Sequence, residues 1–148
     1  MHYEIYTELN VTDDLSIFDF TSIGKRGNIH KRIVFMPTER PDIYNLAFGH
    51  VGTDDHKTND NSVSNNGDRN KILATVAFVV EAYTKRYPDR WVFFRGNTKE
   101  KTRLYRMAIG LNYNELSRKF DIYVHVGGDI VPFANDLEIV AFFVKRKG

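Results

Sequence analysis

Cysteine is missing from this chain of 148 residues. Its absence removes disulfides, thiolate metal sites and cysteine nucleophiles in one step. No apolar run approaches the roughly 18 residues that a membrane-spanning helix needs. Met1 to Leu15 is polar and acidic, without the apolar stretch of a secretory leader. The expectation is a soluble, cytoplasmic protein with no membrane contact. Net charge is also small: 21 Lys and Arg against 19 Asp and Glu leave +2, too little to imply nucleic acid by itself. No serine sits in a nucleophile-elbow glycine pattern. His50, Asp54, Asp55, His56, Asn59 and Asp60 are all competent metal ligands, but they follow no recognised ligand spacing. Neither a metal nor a cofactor is expected.

What the chain does contain is a core. Hydrophobic residues make up 42%, and 11 Phe with 8 Tyr supply the bulk, so a packed interior is expected rather than disorder. The length suits one domain over 1–148, and there is no internal repeat and no linker. Acids gather at Asp13-Asp14, at Asp54-Asp55 with Asp60, and at Asp129 with Asp136 and Glu138. Bases gather at Lys25-Arg26, Lys31-Arg32, Lys85-Arg86, Lys99 to Arg106 and Lys145-Arg146-Lys147.

Residues 17–23 and 29–36 alternate as two strands around a four-residue loop, Gly24-Lys25-Arg26-Gly27. A third strand is expected from Ile43 to Phe48. Residues 50–68 hold almost nothing apolar and read as a long exposed loop, of a length that is often functional. Asp68 stands where an N-cap belongs, ahead of a helix to about Tyr87 with Ile72, Val76, Val79, Val80 and Tyr83 as its stripe. Pro88 stops it. A buried strand follows at 91–95. A second helix from about Lys99 carries Tyr105, Ile109, Leu116 and Phe120, with Leu104, Ala108 and Leu111 beside them. Strands at 122–126 and 139–144 close the chain, with Gly127-Gly128 and Pro132 turning between them. The order βββ-α-β-α-ββ predicts an α+β domain, two helices on one predominantly antiparallel sheet.

The segment with most chemical content is Arg95 to Arg106. A strand ending near glycine and running into a helix aims free backbone N–H groups at one point, a seat for an anion. Lys99, Lys101, Arg103 and Arg106 surround that point, and Lys99, Arg103 and Arg106 share one helical face that Gly110 and Asn114 continue. Read as structure alone, Asn97 is the N-cap and Glu100 its capping-box partner. That reading leaves the cations unexplained, because each opposes the helix dipole by about 0.3–1 kcal/mol. Lys101-Thr102 echoes a P-loop ending, but Glu100 occupies the place of its glycine, which excludes P-loop nucleotide hydrolysis. The candidate phosphate-binding set is therefore Asn97, Thr98, Lys99, Lys101, Thr102, Arg103 and Arg106. Asn65, Asn66 and Asp68 are cleft candidates, since amides there suit a base or a sugar and Asn-Gly suits a tight turn. His30 and His125 lie in strands, where a hydrogen-bonded structural role competes with general acid–base work. Tyr105, Tyr113 and Tyr123 are candidate stacking rings, against the alternative of core packing.

Tyr44-Asn45-Leu46-Ala47-Phe48-Gly49, then Ser64-Asn65-Asn66-Gly67-Asp68-Arg69 into Leu73-Ala74-Thr75-Val76, then Gly96-x-Thr98 with Thr102-Arg103-Leu104-Tyr105, form a recognisable pattern. With Phe20-x-Ser22-x-Gly24 and Ala141-Phe142 it resembles a family of small, uncharacterised bacterial proteins carrying a domain of unknown function. The family pattern shows serine at Asn97, arginine near Lys101 and an acid near His50. The first two departures keep capping and charge; the third removes a carboxylate. The resemblance implies that both signatures lie at helix N-termini, and it brings no activity. Function is thus expected to be binding of RNA or another phosphate-bearing ligand. The alternatives are a small hydrolase or ribonuclease-type toxin effector using His30 or His125, and a protein-interaction module with an acidic protein partner.

Overall fold

Two-residue periodicity places Phe18, Phe20 and Ser22 on one side of a strand and Ile29, Lys31, Ile33 and Phe35 beside them on the next. The computed structural model, which describes residues 3–51, 58–59 and 66–148, shows this arrangement. β1 (Asn10–Val11) pairs antiparallel with β2 (Ile17–Gly24), and β2 with β3 (Gly27–Pro37). Pairing runs to Gly24 opposite Gly27, so the loop is the two residues Lys25-Arg26 and not the four expected. Gly27 takes φ +88°, which the tight turn requires.

β4 (Ile43–Val51) follows, and β5 (Thr58–Asn59) pairs antiparallel with its end. α1 (Arg69–Arg86) comes next, then β6 (Trp91–Phe94), α2 (Lys99–Leu111), α3 (Tyr113–Lys119), β7 (Phe120–Val126), β8 (Asp129–Pro132) and β9 (Ala141–Arg146). The chain is α+β, with a mostly antiparallel mixed sheet. β4 and β6 run parallel, as strands do when a helical crossover such as α1 joins them. No helix among the described residues is long and apolar enough to cross a membrane.

Two compact units emerge: Met1–Met36 with Leu46–Tyr83, and Pro37–Asn45 with Thr84–Gly148. In the first, the strand order is β1-β2-β3-β4. Its core joins Phe18, Phe20, Ile33, Phe35 and Leu46 to Ile72, Val79, Val80 and Tyr83 of α1. Phe35 and Tyr83 stack with centroids 3.7 Å apart. Fully burying one such ring stabilises by about 1.5–3 kcal/mol. In the second, the order is β4-β6-β9-β7-β8. Val92, Ile122, Val124, Phe142 and Val144 form its packed face, and Tyr105 of α2 meets Phe94 and Phe142 edge-on. At the turn before β6, the Arg90 guanidinium lies over the rings of Tyr87 and Tyr44.

Three expectations need correction. The long second helix is two helices: Asn112 ends α2, its side chain donating to Ala108 O at 2.8 Å while its backbone N–H turns to Ile109 O and Gly110 O. Gly110, Asn112 and Asn114 lower the helix propensity of that segment enough for the break to form. Leu111, expected beside the apolar stripe, is 85% exposed as a result. Gly127 and Gly128, both at positive φ, close a hairpin of β7 onto an unforeseen strand, β8.

Candidate functional site

α2 begins where β6 runs out. A β-carbon on Gly96 would lie 2.5 Å from both Lys101 Cβ and Thr102 N, so glycine is what lets the chain turn back this closely on the helix. Thr98, with φ −131° and ψ 160°, is the N-cap, and its hydroxyl accepts from the Lys101 N–H. The cap is therefore one residue later than Asn97. Glu100 falls at the second helical position and cannot close the expected capping box. It still supplies the one acid of the first turn, where the dipole favours it.

This local chemistry divides the predicted phosphate-binding residues. Thr102 is 8% exposed, and its hydroxyl accepts from Gly96 N–H at 3.1 Å and donates to Gly96 O at 3.4 Å. Two backbone donors expected to face a ligand, Gly96 N–H and Lys101 N–H, are thus already bonded within the junction. Asn97, Lys99 and Arg103 are exposed; Lys101 and Arg106 are half-buried. Among the described residues, no acid pairs with Lys99, Arg103 or Arg106. The geometry leaves a short row of cations along α2, Lys99 and Arg103 exposed and Arg106 half-buried, over a closed, well-capped turn. Gly110, on the continuation of that row, admits the side chain of Asn135: a β-carbon there would lie 2.1 Å from Asn135 Oδ1. That close approach belongs to the protein itself.

The start of α1 is built differently. Asn65 lies outside the described residues. Asn66 is 2% exposed, and its Oδ1 accepts from Arg26 N–H at 2.6 Å. Its Nδ2 donates to Gly27 O at 3.0 Å and to Ser22 Oγ at 3.1 Å, while its carbonyl accepts from Lys25 N–H. The amide is a clamp on the β2–β3 turn. Gly24 makes room for it, since a β-carbon there would sit 1.9 Å from Asn66 O.

Asp68 precedes α1, and its carbonyl accepts from Ile72 N–H as an N-cap's should. Its carboxylate does not cap. Oδ2 accepts from the hydroxyls of Tyr6 and Ser22, and Oδ1 is buried with no hydrogen-bond partner among the described residues. Burial, and next the bond to Asp68, hold the Tyr6 hydroxyl above its ordinary value. The Tyr6 backbone N–H donates to Thr75 Oγ1 at 2.9 Å, and Lys71 Nζ lies 4.3 Å from the Tyr6 ring centre. Tyr6 and Ser22 carry this site with Asn66 and Asp68, and the sequence reading missed them. The parity of Ser22 with Phe18 and Phe20 was the available signal.

Other candidates resolve individually. Lys31, one of the clustered bases, is 2% exposed opposite Phe20, with Nζ 5.8 Å from the Phe48 ring centre. Its neighbour Arg32 binds Asp19 through two bonds of 2.8 and 2.9 Å, and His30 Nε2 lies 3.3 Å from the same carboxylate. Burial pushes the Asp19 carboxyl up, but Arg32 and then His30 outweigh it and hold it below the usual range. Tyr105 packs on Phe94 and Phe142, Tyr113 stacks on Phe133, and Tyr123 is 37% exposed. Among the described residues no three His, Asp or Glu side chains converge as metal ligands. Asp54, Asp55, His56 and Asp60 lie outside the described residues. Comparison with curated proteins and with solved structures finds no match. A family of unknown function, DUF6934, matches over residues 2–147, and the chain belongs to that family.

Proposed function

We propose that this chain binds a phosphate-bearing partner, RNA foremost, through the exposed cations at the start of α2. The observation that carries the reading is the row Lys99, Arg103 and Arg106, unmatched by any acid among the described residues, which begins at the positive end of a helix. Two of these three residues fall within the first turn and a half, where cations oppose the dipole. A bound phosphate reverses the sign of that interaction. Thr98 and Thr102 hold the turn rigid beneath them. Phosphate contacts of this kind give affinity without sequence preference.

Fluorescence anisotropy of a labelled mixed-sequence RNA at about 50 and about 200 mM salt tests it. The expected result is binding that weakens steeply with salt. Arg103→Ala with Arg106→Ala should lower the salt slope by about 1.4, or ~0.7 for each phosphate of a single strand that is no longer neutralised. An unchanged slope in that double variant would falsify the site.

A second reading has its own observation. Met107 and Leu111, 54% and 85% exposed, extend the line of Arg103 by successive helical turns. A basic and apolar stripe suits an acidic protein partner with an apolar face. This reading predicts a stable protein complex that Leu111→Ser disrupts, and no RNA affinity.

A further inference from the structure

The second unit has a second sheet face, opposite the one that carries α2. Alternation along its strands sends Val92, Val144, Ile122 and Val124 to the packed face. It sends Trp91 and Phe93 of β6, Phe143 and Lys145 of β9, and Tyr123 and His125 of β7 to the other. The register places Phe143 beside both Phe93 and Tyr123. Phe93 and Phe143 have ring centres 5.1 Å apart, and Trp91 meets Tyr123 edge-on at 5.8 Å. Four aromatic rings from three neighbouring strands thus form one contiguous surface, half-buried by mutual contact, with Tyr123 37% exposed. The helix rings that touch this unit's strands lie elsewhere: Tyr105 packs on Phe94 and Phe142.

From this surface we infer a stacking platform for the bases of a single-stranded nucleic acid. The inference rests on the reading that the partner is RNA, but it uses different residues from the α2 row. Charge at the edges of the face decides the occupant. Lys145 places Nζ 5.8 Å from the Trp91 ring centre. Lys147 follows β9, and its N–H bonds to Lys119 O, which brings Arg118 and Lys119 to the same end. Arg95, exposed, follows β6 at the other end and leads directly to the start of α2. Asp121 lies opposite Lys145, and Asp42, whose carbonyl accepts from Trp91 N–H, and Asp89 adjoin the edge; Lys145, Lys147, Arg118, Lys119 and Arg95 outnumber these acids. Aromatic rings also serve protein interfaces, so the cations around them decide the occupant. Flat rings rimmed with cations match bases and their phosphates, because every base offers a π-face and stacking tolerates any sequence.

The chain's single tryptophan, Trp91, makes the test direct. A 12-nucleotide oligouridylate is titrated while Trp91 emission and anisotropy are both followed, with a duplex of mixed sequence in parallel. The expected result is quenching of Trp91 with the same midpoint as the anisotropy change, and weaker binding of the duplex, whose bases are already stacked. Tyr123→Ala should weaken single-strand binding by about 5- to 100-fold, the range that one base–aromatic stack supplies, and Tyr123→Phe should restore it. If oligouridylate binds with Trp91 emission unchanged and Tyr123→Ala is neutral, while Arg103→Ala with Arg106→Ala abolishes binding, the platform is wrong and the α2 reading stands. If the α2 double variant is neutral and Tyr123→Ala is not, the reverse holds. No binding of any strand overturns both. Should Tyr123→Ala fail to fold, the wild-type quenching experiment and Lys145→Ala decide the matter on their own.

Discussion

At the start of α1 the polar side chains turn into the protein, and at the start of α2 they turn out of it. Asn66 and Asp68 are consumed by the β2–β3 turn, Ser22 and Tyr6. Thr98 and Thr102 close the α2 junction locally, and the charges of Lys99 and Arg103 are left at the surface. Both starts were legible as helix N-termini, and composition made them look alike as sites. The difference lies in long-range hydrogen bonding. Asn66 acts across 40 residues on Arg26, whereas Thr102 acts across six on Gly96. The first start is therefore a tertiary lock, and the second is a prefabricated surface.

The sharpest way to break this comparison is through glycine. Gly24→Ala and Gly110→Ala introduce β-carbons at 1.9 Å and 2.1 Å from their neighbours, nearly the same overlap. At Gly24 the neighbour is the Asn66 backbone, which cannot move without releasing the turn. At Gly110 it is the tip of the Asn135 side chain, which can rotate away. Gly24→Ala should cost about 3 kcal/mol from overpacking. Gly110→Ala should fall within about 1 kcal/mol of neutral, because helix propensity favours alanine by a similar amount. Urea unfolding of the two variants measures both, and equal losses would show that the α1 lock is no tighter than the α2 surface.

Asn66→Ala comes next. It leaves Arg26 N–H and Gly27 O short of a partner at a part-buried turn, so about 1 kcal/mol should be lost. Arg103→Ala with Arg106→Ala should change stability by less than about 0.5 kcal/mol, as surface substitutions do. A comparable loss in both would place structural weight on the cations and weaken their assignment to a ligand.

The α1 lock also has a pH signature. The Tyr6 pKa is raised above its ordinary 10.0, so the neutral hydroxyl is favoured in the folded protein. Its contribution is fully present below pH 10.0 and is lost as pH rises through the folded value. Unfolding midpoints should drop faster above about pH 10 in the wild type than in Tyr6→Phe. Parallel curves would mean that the Tyr6–Asp68 bond does not couple to folding.

These contrasts explain how much the sequence disclosed. Local rules carried far: the alternation in β2 and β3, the stripe of α1, the glycine before α2 and the stop at Pro88 all follow from residues near in sequence. The cap of α2 was misplaced by one residue because Asn97 and Thr98 are both good caps, and only the backbone at Thr98 decides between them. The break at Asn112 was hidden because Tyr105 through Phe120 keeps helical spacing across it. Lys31 and Arg32 form one basic cluster in the sequence, although strand alternation puts the two on opposite faces. Strand parity points Ser22 inward with Phe18 and Phe20, but nothing local links Tyr6 or Ser22 to residue 68, so their pairing with Asp68 was out of reach. Trp91, Phe93, Phe143 and Tyr123 become one surface only through the β6-β9-β7 order, which sequence order does not reveal.

The smallest expected effects separate cap from cation at the α2 start. Thr98→Ala removes the bond to Lys101 N–H and should cost about 1 kcal/mol. Lys99→Ala removes a charge that the helix dipole disfavours, and at low salt should raise stability by about 0.3–1 kcal/mol. Added salt should erase that gain, because an exposed charge is screened. That salt-sensitive gain would support the assignment of Lys99 to a partner outside the fold. If Lys99→Ala instead destabilises the protein at low salt, Lys99 serves the helix itself, and the α2 surface loses its first candidate contact.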